Sequence, residues 1–150
     1  MMKLSEHFTL AEMCKSQTAE RMGINNTPTS EDIVCLKLVC ENILEPVREH
    51  YAKPIAPSSG YRSVNLCEAI GSSSKSQHAL GQAVDFEVMG VDNYELALWI
   101  SENLSFDQLI LECYKGGNTG WVHCSYRSKD ENRHQCLTFD GTKYRQGLIL

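Results

Sequence analysis

Three residues in this chain have the types and spacing for metal chemistry. The stretch SQHALGQAVDFEV, residues 76–88, sets His78 in a small-residue turn and Asp85 farther on, inside an apolar run. A buried carboxylate is costly unless it is paired or bound to a metal, so Asp85 needs a partner. The run QAVDFEVM alternates: Val84, Phe86 and Val88 would face one side of a strand, and Ala83, Asp85 and Glu87 the other. In WVHCSY, Trp121, His123 and Ser125 share a face. If these two strands are neighbours, His78, Asp85 and His123 offer two imidazoles and a carboxylate. That is a usual ligand set for a catalytic zinc ion with one open position. His7, His50 and His134 lack such surroundings and read as surface or hydrogen-bonded histidines. Cys124 adjoins His123, but adjacent strand residues point to opposite faces, which argues against a cysteine–histidine hydrolase.

The elements that must position these residues can be outlined. In HFTLAEMCKS, Thr9 and Glu12 form a capping box, with Phe8 and Met13 placed as a hydrophobic staple. A long helix follows from Thr29 or Ser30, with Ile33, Leu36, Val39 or Cys40, Ile43 and Val47 on its inner face and Pro46 kinking or tightening its last turn. A third helix starts at the Asp92 cap and turns Leu96, Trp99, Ile100 and Leu104 inward. Strand-like runs are QAVDFEVM, FDQLILECY, WVHCSY and QCLTF, and FDGTKY offers an Asp-Gly hairpin turn. KPIAPSSGYRS reads as an extended segment that turns at Ser59-Gly60. The expected fold is α+β, a small, mostly antiparallel sheet with helices packed on it, as one domain over residues 1–150.

Bulk properties narrow the function. A formal net charge of −5 argues against a nucleic-acid binder held by phosphate contacts. No apolar run of transmembrane length is present, and MMKLSEHFTL turns polar too early for a secretory signal. Cytoplasmic synthesis, no membrane partner and a monomer are the expectations. The seven cysteines are odd in number and contain no CxxC pair, so they read as reduced thiols rather than disulfides or a zinc–thiolate site.

SQHALGQAVDF resembles the SxHxxGxAxD pattern of the zinc D-Ala-D-Ala peptidases, whose clan includes lysostaphin-like enzymes and the hedgehog signalling domain. GWVHCSY resembles that family's second histidine strand, and SSGYRS its substrate-arginine segment. FDQLI-x-E ahead of WVH-x-SY is similar to small phage and bacterial members. The resemblance covers roughly residues 58–126, in order. It implies His78, Asp85 and His123 as ligands of Zn2+, and Arg62 as the group that holds a substrate carbonyl or carboxylate. Ser76 and Gln77 would line the pocket. Gly81 and Ala83 would leave room where backbone approaches metal or substrate. The bland reading of Arg62 is a surface salt bridge.

The chain departs from the pattern at one place. Many members carry an acidic residue three positions before the second zinc histidine, where it serves as base; here that position is Gly120. Glu112 is the best substitute, if a turn through CYKGGNTG returns the chain so that it faces His123. Its alternative is a solvated strand-end glutamate, and Glu87 ranks lower. The resemblance implies a peptidase acting on peptidoglycan stem peptides, of carboxypeptidase or endopeptidase type, such as a phage or prophage endolysin released to the cell wall. A zinc-bearing binding module without hydrolysis, for cell wall or protein, is the alternative that Gly120 motivates.

Overall fold

Strands β1 (Ala83–Phe86), β2 (Gln108–Glu112), β3 (Trp121–Ser125), β4 (Gln135–Phe139) and β5 (Tyr144–Gln146) form one sheet in the order β1-β3-β2-β4-β5. They belong to a computed structural model that describes residues 2–149. Three pairings are antiparallel; β2 and β4 run parallel. The sheet is two-faced because its strands alternate. Val84, Phe86, Leu109, Leu111, Val122 and Cys124 are fully buried on one face and join the core. Asp85, Ile110, Glu112, Trp121 and His123 stand on the other.

Among the described residues, six α-helices accompany the sheet: α1 (Leu10–Cys14), α2 (Gln17–Met22), α3 (Ser30–Val39), α4 (Glu45–Tyr51), α5 (Val64–Ala69) and α6 (Asn93–Asn103). The caps are those the residue types dictate. Thr9 with Glu12 closes a capping box on α1, Thr29 caps α3 with Asp32 in reply, and Asp92 accepts from the Glu95 amide on α6. Pro46 does not end its helix. A π-helical turn, Cys40–Leu44, joins α3 to α4, and Glu45 N–H reaches back to the Cys40 carbonyl. That wider turn carries the helix past a residue that has no N–H to donate. Leu36, Val39, Ile43 and Val47 are fully buried along this rod. Each such side chain contributes about 1.5–3 kcal/mol by leaving water.

Two short helices, α2 and α5, fall in stretches to which the sequence assigned no element. Each is six residues long and starts at a serine, Ser16 or Ser63, whose hydroxyl accepts from the amide three residues on. The segment ahead of α5 is extended as expected. Ser59 bridges Asp85, with Asp85 N–H donating to the Ser59 carbonyl at 2.7 Å. The Asp-Gly hairpin joins β4 to β5, which places the C-terminal YRQ as an edge strand. Among the described residues, no helix is long and apolar enough to cross a membrane.

Candidate metal centre and its cavity

His78 sits on a single 3-10 turn, Gln77–Leu80, whose first amides are capped by Ser76; the Ser76 hydroxyl accepts from His78 N–H at 3.2 Å. Gly81 ends the turn at φ +72°, and a side chain there would run into the Asp32 carbonyl of α3. Gly81 thus makes room for helix α3, not for metal or substrate. Ala83, fully buried opposite Ser125, likewise serves strand packing.

The sheet register does the rest. Asp85 on β1 lies directly across from His123 on β3, and Ile110 on β2 lies on His123's other side. His123 Nδ1 is 2.9 Å from Asp85 Oδ1, and His78 Nε2 is 3.4 Å from the same oxygen. The ligand atoms of His78, Asp85 and His123 all lie within 4.8 Å of one another, and among the described residues this is the one group of three that could hold a metal ion. Four ligands at about 2.0–2.1 Å around a tetrahedral zinc stand roughly 3.3 Å apart, so the donor types and spacings fit such an ion. The group behind the His78 imidazole fits too. His78 Nδ1 is 2.7 Å from the Gly60 carbonyl. A carbonyl only accepts, so Nδ1 carries the proton and Nε2 presents its lone pair to the centre.

Charge is arranged to match. Burial pushes the His78 imidazole below its usual value, against the pull of Asp85, which favours the neutral form a metal needs. Burial alone would raise Asp85, but the neighbouring His123 and His78 outweigh it and hold the carboxyl well below the usual carboxylate range.

These side chains open into a cavity of about 530 Å³ that also reaches Arg62, Glu112 and Trp121. Glu112 and Trp121 are register partners at the closed end of the β2–β3 hairpin, and Trp121 Nε1 donates to Glu112 Oε2 at 2.8 Å. Burial pushes the Glu112 carboxyl above its usual value, and the Asp85 charge adds to this while His123 and Trp121 oppose it. Glu112 is therefore not a solvated strand end. Gly120 has a conformational reason: its φ is +67°, and a side chain there would strike the Glu112 carbonyl. Glu87 is exposed and accepts from Asn93 Nδ2 at 2.9 Å, away from the centre.

Arg62 borders the cavity, its backbone N–H donating to the His78 carbonyl at 3.1 Å. Its Nε is buried without a hydrogen-bond partner, and no carboxylate among the described residues stands within salt-bridge distance. A buried guanidinium donor without a partner is a group set up for an acceptor from outside. Ser76 and Gln77 line the cavity as expected, yet both are engaged within the protein; Gln77 Nε2 donates to Asp107 Oδ2 at 2.9 Å.

Sequence reasoning missed Asp107, Arg133 and Tyr144. Asp107 is fully buried, binds the Arg133 guanidinium through both oxygens, and so ties the His78 turn to the start of β4. Tyr144 lines the cavity from the edge strand. The only signal was an aspartate at the head of an apolar run, FDQLI; nothing marked Arg133. The remaining histidines have ordinary partners: His7 with Glu45, His50 stacked on Trp99, His134 with the Ser101 carbonyl. All seven cysteines are free, and burial pushes the Cys124 thiol far up on the core face. A second cavity, about 630 Å³, lies beside His7 and Glu45, remote from this chemistry.

No curated protein is significantly similar to the chain. Residues 6–125 match the family described as Peptidase M15. That match runs from ahead of α1 to the end of β3, most of the chain, and on it this protein belongs to the Peptidase M15 family, a metallopeptidase family.

Proposed function

We propose that the protein is a zinc-dependent peptidase that hydrolyses peptide bonds of peptidoglycan stem peptides. The observation that carries this reading is the convergence of His78, Asp85 and His123 with Glu112 in one cavity. Zinc held by His78 Nε2, Asp85 Oδ1 and His123 Nδ1 would supply Lewis acidity and lower the pKa of a coordinated water to about 7.

The chain's own residues do the remaining work. Glu112, its pKa raised by burial, takes a proton from the attacking water on a carboxylate oxygen and returns it to the leaving amine. The Trp121 indole fixes which Glu112 oxygen stays engaged, leaving the other free for the proton. Arg62 uses its unpartnered donor on the substrate's carbonyl or carboxylate oxygen, a role suited to a planar fork that stays charged at any working pH. The Gly60 carbonyl keeps the proton on His78 Nδ1 throughout.

Purified protein incubated with cell-wall sacculi, with metal content measured in parallel, tests this. His78→Ala and His123→Ala are expected to lose zinc and turnover together. Glu112→Gln should keep zinc and lose about 10²–10⁴ in kcat. Fully active Glu112→Gln protein would show that another group is the base. Tight zinc binding with no released amines, at any divalent metal, would make the protein a recognition module instead.

A further inference from the structure

The cavity extends well beyond the three metal-type residues. Across the sheet face the order is the 58–62 segment, bridged to β1 at Ser59, then β1, β3, β2, β4 and β5. Arg62 borders the cavity at the first edge and Tyr144 at the last. Strands stand about 4.8 Å apart, so β1 to β5 spans roughly 19 Å, the length of about six extended residues. His78, Asp85 and His123 lie toward the Arg62 edge. The groove also runs the other way, past Gln108, Ile110 and Glu112 of β2 to Arg133 and Tyr144.

Two of its residues, Arg133 and Tyr144, lie beyond position 125, where the family match ends. Arg133 lies just ahead of β4. Its Nε donates to Asp107 Oδ1 at 3.0 Å and its Nη2 to Asp107 Oδ2 at 2.9 Å. A guanidinium has five N–H donors, and the Arg133 side chain is 53% exposed against 0% for Asp107. The buried carboxylate thus fixes the fork and leaves its outer donors facing the groove. Lys75 lines the same cavity just ahead of Gln77, whose amide binds the Asp107 that also holds Arg133, and it has no ion-pair partner among the described residues. Tyr144, stacked on Phe139 with ring centroids 4.4 Å apart, adds a flat surface at the end. The chain carries a net charge of −5, yet this groove gathers Arg62, Lys75 and Arg133, with Asp85 and Glu112 as its only acidic lining among the described residues.

We propose that Arg133 and Lys75 form a subsite for a carboxylate carried by the substrate peptide, on the side of the cleaved bond away from Arg62. The proposal rests on the peptidase reading above. Asp107 offsets the charge of Arg133, so Lys75 supplies the net attraction and Arg133 the directed, preorganised donors. A guanidinium fixed in this way recognises a planar carboxylate better than a neutral amide, which brings its own N–H groups against the fork.

The test uses synthetic peptides in which one residue at a time bears a free carboxylate or the matching carboxamide. At one position the wild-type protein should prefer the acid on the order of 10-fold in kcat/KM, mainly through KM, as uniform binding requires. Lys75→Ala and Arg133→Gln should each bring that ratio toward one. Both peptides are assayed on the same preparation, so any loss of folded protein cancels. Equal cleavage of acid and amide at every position overturns the subsite and leaves the peptidase standing. If no peptide is cleaved, the peptidase reading has failed, and calorimetry decides the subsite: acid-selective binding abolished by Lys75→Ala upholds it, unselective binding overturns it.

Discussion

The Trp121 indole N–H donates to Glu112 across a register pair of β2 and β3, so the residue read as base is held by the strand that also carries His123. The bond favours the ionised carboxylate, against burial, which raises it. Trp121→Phe removes the donor and leaves the ring. The Glu112 pKa should then rise further, moving the acidic limb of the kcat/KM–pH profile to higher pH. We expect kcat near neutral pH to fall about 10-fold with zinc content unchanged. A profile that does not move would separate Glu112 from the rate-limiting proton transfer.

Gly120 occupies the place where the motif resemblance leads one to expect an acid, and placing one there should not create a base. The backbone there is left-handed, and any Cβ meets the Glu112 carbonyl. Gly120→Asp is expected to lose roughly 2–4 kcal/mol of stability from strain and overlap. Urea unfolding checks this. A variant as stable as wild type would show that the hairpin has a second acceptable geometry.

Local signals were legible in the chain wherever one residue decides the outcome. Thr9, Thr29 and Asp92 cap as their side chains dictate, and the alternation around Asp85 and His123 divides core from site. Helices α2 and α5 were not legible, because six residues make too few turns to show a period. Gly81 looked like clearance for a ligand, yet only the packed fold shows that it clears α3. Arg133 was invisible for a different reason: its partner Asp107 is far off in sequence, and no pattern of spacing announces a long-range ion pair.

Gly60 links the core to the candidate metal centre. Its carbonyl holds His78 Nδ1, and a side chain on it would strike the Met13 carbonyl of α1. Gly60→Ala should displace the 58–62 segment and loosen the imidazole, lowering zinc affinity by about 10–100-fold. Competition with a chromophoric chelator measures it. A thiol-blocking reagent, by contrast, should leave zinc affinity and activity intact, since no cysteine belongs to the centre.

Asp107 makes stability depend on acid. Burial alone would raise its carboxyl, but the Arg133 fork, the Arg133 amide and Gln77 hold it below the usual carboxylate value. A depressed native pKa contributes stability that is present above the unfolded value of about 3.9 and is lost as pH falls through the native value. Asp107→Asn removes that contribution. At pH 7 we expect it to cost about 2 kcal/mol, less than a fully buried pair because Arg133 is half exposed. As pH falls below about 4 the wild-type protein begins to lose the same contribution, so the two stability curves should draw together from there downward. Curves that stay parallel from pH 7 to pH 3 would mean that the Asp107 charge contributes nothing, and that the His78 turn is held by Gln77's hydrogen bond and packing alone.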